Sequence, residues 1–293
     1  MLRKFWTAFP VLLVSLSAPD AKAQFITPLE QLDEQQLEVA VNFVLGNASF
    51  ELFRQATTAL IEDTGLPVRD DGSNTVDELS TVMMFELNDL WMDTAIVNAT
   101  DSWFLGRQSD LQTAFKQTIH TELVPSKRRD QDIACLMIGK DKESYADLVK
   151  TMSLDEALWP ACVENYPKLV VYWDGLLSDQ RSDDVQSDFI LTYIGSEAPE
   201  LSDYATMIEE SRVFDMIVRS FETYKFKGPI HLVAKSCGRP DVYWSKEDRQ
   251  ITYCYEHAQY QGSLVGAHLI KATAGAEDIK AEDATPVQTG TTF

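Results

Sequence analysis

Residues Phe50 to Phe85, FELFRQATTALIEDTGLPVRDDGSNTVDELSTVMMF, decide how the rest of the chain is read. Phe50, Phe53, Ala56, Leu60 and Ile61 recur at helical spacing, which predicts a helix with one apolar face. Gly65-Leu66-Pro67 ends it, since glycine just past a helix and proline beyond it both oppose continuation. Ser73, Asn74 and Thr75 each carry a side-chain oxygen able to accept from a free helical N–H, so a second helix opens there. Val76, Leu79, Val82 and Met83 form its buried stripe.

The segments on either side follow the same grammar. Ile26 to Asn47 predicts an amphipathic helix with Leu32, Leu37, Val39, Val41, Phe43 and Val44 near one face, stopped by Gly46 and Asn47. Glu86 to Gln117 is predicted helical in parts, with Trp91, Trp103, Phe104 and Phe115 as core aromatics. Helices follow at Tyr145 to Val149 and Leu154 to Leu177, where Pro160 and Pro167 start or kink a helix. Ser178 to Ser187 (SDQRSDDVQS) is polar and aperiodic, and is read as a linker. Beyond it Phe189 to Ile194 is short, β-branched and aromatic, hence a strand. Leu201 to Tyr224 returns to helical spacing, Pro229 to Ala234 is a second strand, and Asp241 to Tyr255 reads as a hairpin around Lys246-Glu247-Asp248. A helix from His257 to Lys271 closes the chain, and Thr273 to Phe293 is expected to be disordered. These elements predict an α+β fold, mostly helical, with a small sheet in the C-terminal half. The divisions are 24–177, a linker at 178–187, and 188–272.

Residues 1–23 are set apart. Arg3 and Lys4 precede an apolar stretch from Phe5 to Ala18, and Ala21-Lys22-Ala23 resembles a cleavage site, so a secretory signal is expected and the protein is placed outside the cytoplasm or in the periplasm. No later run is long and apolar enough to cross a bilayer. The chain has 25 basic and 46 acidic residues and a net charge of −21. That surface disfavours nucleic acid and anionic lipid, and leaves an unidentified protein or peptide as the expected partner. Four cysteines in an oxidising compartment suggest two disulfides in one of three connectivities. The local pairing, Cys135–Cys162 and Cys237–Cys254, is preferred because one pair flanks the hairpin and the other ends a compact helical segment.

The central stretch resembles the active-site segment of a family of secreted bacterial putative zinc metallopeptidases, whose pattern runs F-x-L-[FY]-H-E-L-G-H-A-L-I, an L-P-V turn, then G-R-E-E-D-A-A-D. Phe50, Leu52, Phe53, Ala59, Leu60, Ile61, Leu66, Pro67, Val68 and Asp77 match without a gap. Two further blocks agree: Glu122, Arg129, Ile133, Cys135, Leu136 and Gly139, then Cys237-Gly238, Ile251 and Cys254-Tyr255-Glu256. The resemblance implies a zincin-like helix pair and a zinc cofactor held by H-E-x-x-H, with both histidines on one helix face and the glutamate as general base. In this chain those positions are Arg54, Gln55 and Thr58. The family's glutamates on the second helix fall on Gly72 and Ser73, its next aspartate on Asn74, and the histidine of the second block on Leu123.

A guanidinium has no lone pair for a metal, an amide takes no proton near neutral pH, and a neutral hydroxyl is a poor zinc ligand. No metal or other cofactor is therefore expected, and the chain is read as an inactive relative with a binding or regulatory role. The alternative is an enzyme with a relocated metal site, for which the histidines are His120, His231, His257 and His268. His257 and His268 stand eleven positions apart on one predicted helix, roughly 16 Å at 1.5 Å per residue, too far to share an ion. A serine hydrolase ranks last, because no G-x-S-x-G elbow is present. Arg54 itself has two expected fates: pairing with Asp77 across the two helices, with Glu78 as a neighbour, or snorkelling to solvent. Arg129 is read as structural, bridging helices through a carboxylate.

Overall fold

The computed structural model describes residues 28–69, 74–108, 127–152, 154–182 and 186–283. The expected signal segment, Gly72, Ser73, His120, Glu122, Leu123, Phe115 and the last ten residues lie outside that set.

Helix α1, Glu34–Thr64, is 31 residues long and runs through the middle of the molecule. It opens on a capping box, in which Asp33 accepts from the Gln36 N–H and Gln36 accepts from the Asp33 N–H, so two orphan donors are satisfied reciprocally. It ends at Gly65 with φ 72°, a left-handed cap. Gly46 and Asn47 do not stop a helix, as the sequence suggested; they sit inside α1. Helix α3, Leu90–Gln108, crosses there, and a β-carbon on Gly46 would collide with the Asn98 side chain. Asn47 Nδ2 donates to the carbonyls of Phe43 and Asn98, and Asn98 Nδ2 donates to Asn42. The two residues that read as a helix stop are a close helix crossing. Propensity alone cannot tell these apart, because glycine permits both.

Helix α2, Thr75–Glu86, is capped by Asn74, whose Oδ1 accepts from Asp77 N–H. Then come α4 (Lys127–Lys140), α5 (Lys142–Thr151) and α6 (Trp159–Ser178), the last with a proline at its start and Pro167 inside it. Cys135 on α4 is disulfide-bonded to Cys162 on α6. The stretch read as a linker begins at the end of α6, and its Arg181 bridges to Tyr224 while Ser182 and Ser187 bond to Thr223 and Glu222.

The C-terminal half holds β1 (Phe189–Tyr193), α7 (Pro199–Ser211), α8 (Val213–Phe221), β2 (Ile230–Lys235), β3 (Val242–Ser245) and β4 (Gln250–Cys254). The single helix read from Leu201 to Tyr224 is two, broken at Arg212 with φ 56°. Strand order is β1-β2-β4-β3; β1 and β4 run parallel to β2, and β3 runs antiparallel to β4. Helix α9, Tyr255–Asp283, continues past Lys271 and into the segment expected to lack structure from Thr273. The protein is thus α+β and mostly helical, with a small mixed sheet in its C-terminal half. One apolar core runs from Val44 on α1 to Ala258 on α9 and takes in Trp173, Phe214, Phe221, Tyr253 and Tyr255. Because helices and sheet surround α1, its middle is buried on every side, including Glu51, Gln55 and Thr57.

Candidate functional site

Arg54 lies on the face of α1 turned toward α2. Its Nε donates to Asp77 Oδ1 at 2.7 Å. Asp77 is 1 % exposed and sits in the first turn of α2, where the positive end of the helix favours an anion. A second guanidinium meets the same carboxylate: Arg129 of α4 places Nη2 3.0 Å from Oδ1 and Nε 2.7 Å from Oδ2. Glu51, one turn before Arg54, completes the group at 3.9 Å from Arg54 Nη1 and 3.6 Å from Arg129 Nη2. The Arg129 guanidinium also stacks on Trp103 of α3, 4.2 Å from the ring centroid. Two cations and two anions from α1, α2 and α4 therefore neutralise one another in a buried volume where any one alone would be costly.

Gln55 and Thr58 each make a hydrogen bond within the fold. Gln55 Oε1 accepts from the backbone N–H of Trp244 on the edge strand β3, which ties the middle of α1 to the sheet. Thr58 turns its hydroxyl back onto the Arg54 carbonyl, the common habit of threonine inside a helix. Glu78 does not face Arg54; it accepts from Arg69 Nη1 and from the Trp173 indole. At the first turn of α4, Asp130 pairs with Arg107 of α3, and burial holds its carboxyl above the usual range against the pull of that arginine.

None of the described histidines joins this group. His257 of α9 is fully buried, with Nδ1 3.4 Å from the Tyr253 hydroxyl and Nε2 3.4 Å from the Gln261 amide. Burial pushes it down to about 4, with Glu51 opposing, and the same burial pushes the Tyr253 hydroxyl upward. His231 lies half-buried on β2 and His268 is exposed on α9. Among the described residues, one group brings three metal-ligating side chains together: Cys237, Cys254 and Glu256. Those cysteines are joined in a disulfide, and Glu256 accepts from the Ser236 hydroxyl and the N–H groups of Cys237 and Gly238. This carboxylate at the start of α9 fastens the loop after β2.

A zinc ion needs imidazole, thiolate or carboxylate donors. Arg54, Gln55 and Thr58 supply none, and the two nearby carboxylates already hold guanidinium groups, so the residues present do not fit the metal. Sequence reasoning singled out Arg54, Gln55, Thr58, Asp77 and Arg129, and passed over Glu51 and Trp103. A signal for Glu51 was available: it precedes Arg54 by three positions, which places both on one helical face. No local signal links Trp103 to Arg129, since their meeting depends on how α3 packs against α4.

The protein is thus a mostly helical α+β chain with a buried group of ion pairs where three helices meet at Arg54. Residues 20–177 and 193–289 match the model of a family described as "putative metallopeptidase", and the chain belongs to that family. Neither a curated protein nor a solved structure matches it.

Proposed function

We propose that the chain is a non-catalytic member of its family, exported, in which the ion pairs centred on Asp77 occupy the place of a metal centre and the protein works by binding a protein or peptide. The observation that carries the reading is the position of Arg54. Its guanidinium lies 2.7 Å from a buried carboxylate shared with Arg129, where the two fixed cations repel any added one. Gln55 supports it, because an amide engaged with the Trp244 N–H offers no base to activate water. Export is supported by the basic and apolar N-terminal residues with their Ala-Lys-Ala site and by the two disulfides.

Elemental analysis of the purified protein tests the central claim. Zinc well below one equivalent, with no shift of thermal midpoint on adding zinc, is expected; a stoichiometric amount overturns the reading and returns the relocated metal site. Arg54→His alone is expected to bind no zinc, since three protein ligands are the norm at a catalytic site. Intact-mass measurement of the secreted form, expected to start at Gln24, tests export.

A further inference from the structure

The two edges of the sheet are treated differently. On β3 the outward N–H of Trp244 is closed by the Gln55 side chain of α1. On β1 the ladder to β2 begins with Ile230 N–H donating to the Asp188 carbonyl and ends with Ile194 N–H donating to Ala234. In a parallel ladder with that register, Asp188, Ile190, Thr192 and Ile194 turn their backbone groups toward β2. The N–H and C=O groups of Phe189, Leu191 and Tyr193 therefore point away from the sheet, and no hydrogen bond from another described residue reaches them. Edge strands are usually blunted by lysine, proline, a bulge or a covering element. The sequence FILTYI has no charge and no proline, its five positions in β1 pair one to one with β2, and Ile190 and Ile194 are 44 % and 50 % exposed.

We infer that the outer edge of β1 is a docking edge for an extended, cationic segment of a partner protein, which adds to the sheet as a fifth strand. Backbone pairing supplies the contact, as in other cases of strand addition, while Ile190 and Ile194 offer an apolar shelf to alternate side chains. The partner's charge follows from this chain's. Asp188 and Glu197 flank the strand, both exposed, and the whole chain carries −21. Pairing two copies edge to edge would bring two such charges together, whereas a lysine-bearing strand is drawn in. The inference goes beyond the reading of the Arg54 centre and does not rest on it: the edge is present whether or not zinc binds.

The test uses the full mature chain and a labelled peptide of alternating valine and lysine, with a valine–glutamate peptide as its counterpart. Residue-resolved hydrogen exchange is read at β1. In the free protein the amides of Phe189, Leu191 and Tyr193 are expected to exchange fast, and the lysine peptide is expected to slow them by about tenfold or more while Ile190, Thr192 and Ile194 change little. Leu191→Pro deletes the central outward N–H without removing a ladder bond and is expected to abolish that protection. If that variant does not fold, Ile190→Lys, at an exposed position, is expected to weaken binding by roughly tenfold or more through charge repulsion. Four results overturn the inference: slow exchange of the three amides in dilute free protein, equal binding of the glutamate peptide, absence of binding by the lysine peptide, or protection that grows with protein concentration alone. The last would assign the edge to a second copy of this chain.

Discussion

Two buried carboxylates in this protein are satisfied by opposite means. Asp77 is held by side-chain cations from two other helices, Arg54 on α1 and Arg129 on α4, with Glu51 balancing the charge. Glu256 is held by the backbone N–H groups of Cys237 and Gly238 and by the Ser236 hydroxyl, all within one short loop fastened by the Cys237–Cys254 disulfide. The first arrangement is tertiary, so deleting one member leaves unlike charges stranded in a dry interior. The second is local, and the covalent bond keeps its geometry even if the carboxylate is lost. The charged centre is therefore expected to behave as a unit, and the loop as a set of separable parts.

The largest effect is expected from Asp77→Ala, which leaves two buried guanidinium groups with one carboxylate between them. Loss of one partner of such a group costs about 3–5 kcal/mol, measurable by urea unfolding. A loss below about 1 kcal/mol would mean that the centre is solvent-screened, and the contrast with the loop would fail. Next is the Cys237→Ser, Cys254→Ser pair, closing a separation of 17 residues. Removal of a bridge over a loop of that size costs about 3 kcal/mol, and the Glu256 contacts are expected to survive it in the folded fraction.

The pH dependence sharpens the comparison further, because buried His257 feels the charge of Glu51. Its folded-state value is depressed to about 4 by burial, below the ordinary 6.5. Between those limits the unfolded chain binds the proton and the folded chain does not, so stability falls as pH drops from about 6.5 toward 4 and is level above 6.5 for this group. The slope from one proton is at most about 1.4 kcal/mol per pH unit. His257→Gln is expected to flatten it in unfolding curves taken across that window, and an unchanged slope would assign the pH response to other groups. The smallest effect belongs to the exposed helical pair Lys168–Glu164. Lys168→Ala is expected to leave the thermal midpoint where it was, since such pairs are screened by water. A clear drop there would mean that ion pairs in this protein matter regardless of burial.

The elements were legible in proportion to how local their causes are. The Gly65 stop, the Asn74 cap, the strand from Phe189 and the hairpin strands at Val242 and Gln250 follow from backbone preferences written in a few residues. Gly46 was misread because its reason lies 52 positions away, in the crossing with Asn98. The break at Arg212 was missed because a left-handed arginine has no local signal of the kind glycine provides. At the centre, the absence of zinc donors at Arg54, Gln55 and Thr58 was plain in the sequence, as was the availability of Asp77.

What the amino-acid sequence determined by itself is therefore a mostly helical α+β chain of the putative metallopeptidase family, whose Arg54, Gln55 and Thr58 side chains are not zinc donors. Periodicity, turn chemistry and the chemistry of side-chain lone pairs suffice for those conclusions, since each depends on residue type and near neighbours. Tertiary structure alone decided that Arg129 and Glu51 join Arg54 and Asp77, that Gln55 closes the β3 edge, and that no other described residue hydrogen-bonds to the outer edge of β1. Those outcomes depend on the packing of elements far apart in sequence, where distance and exclusion of water set the strength of each charge and each backbone group.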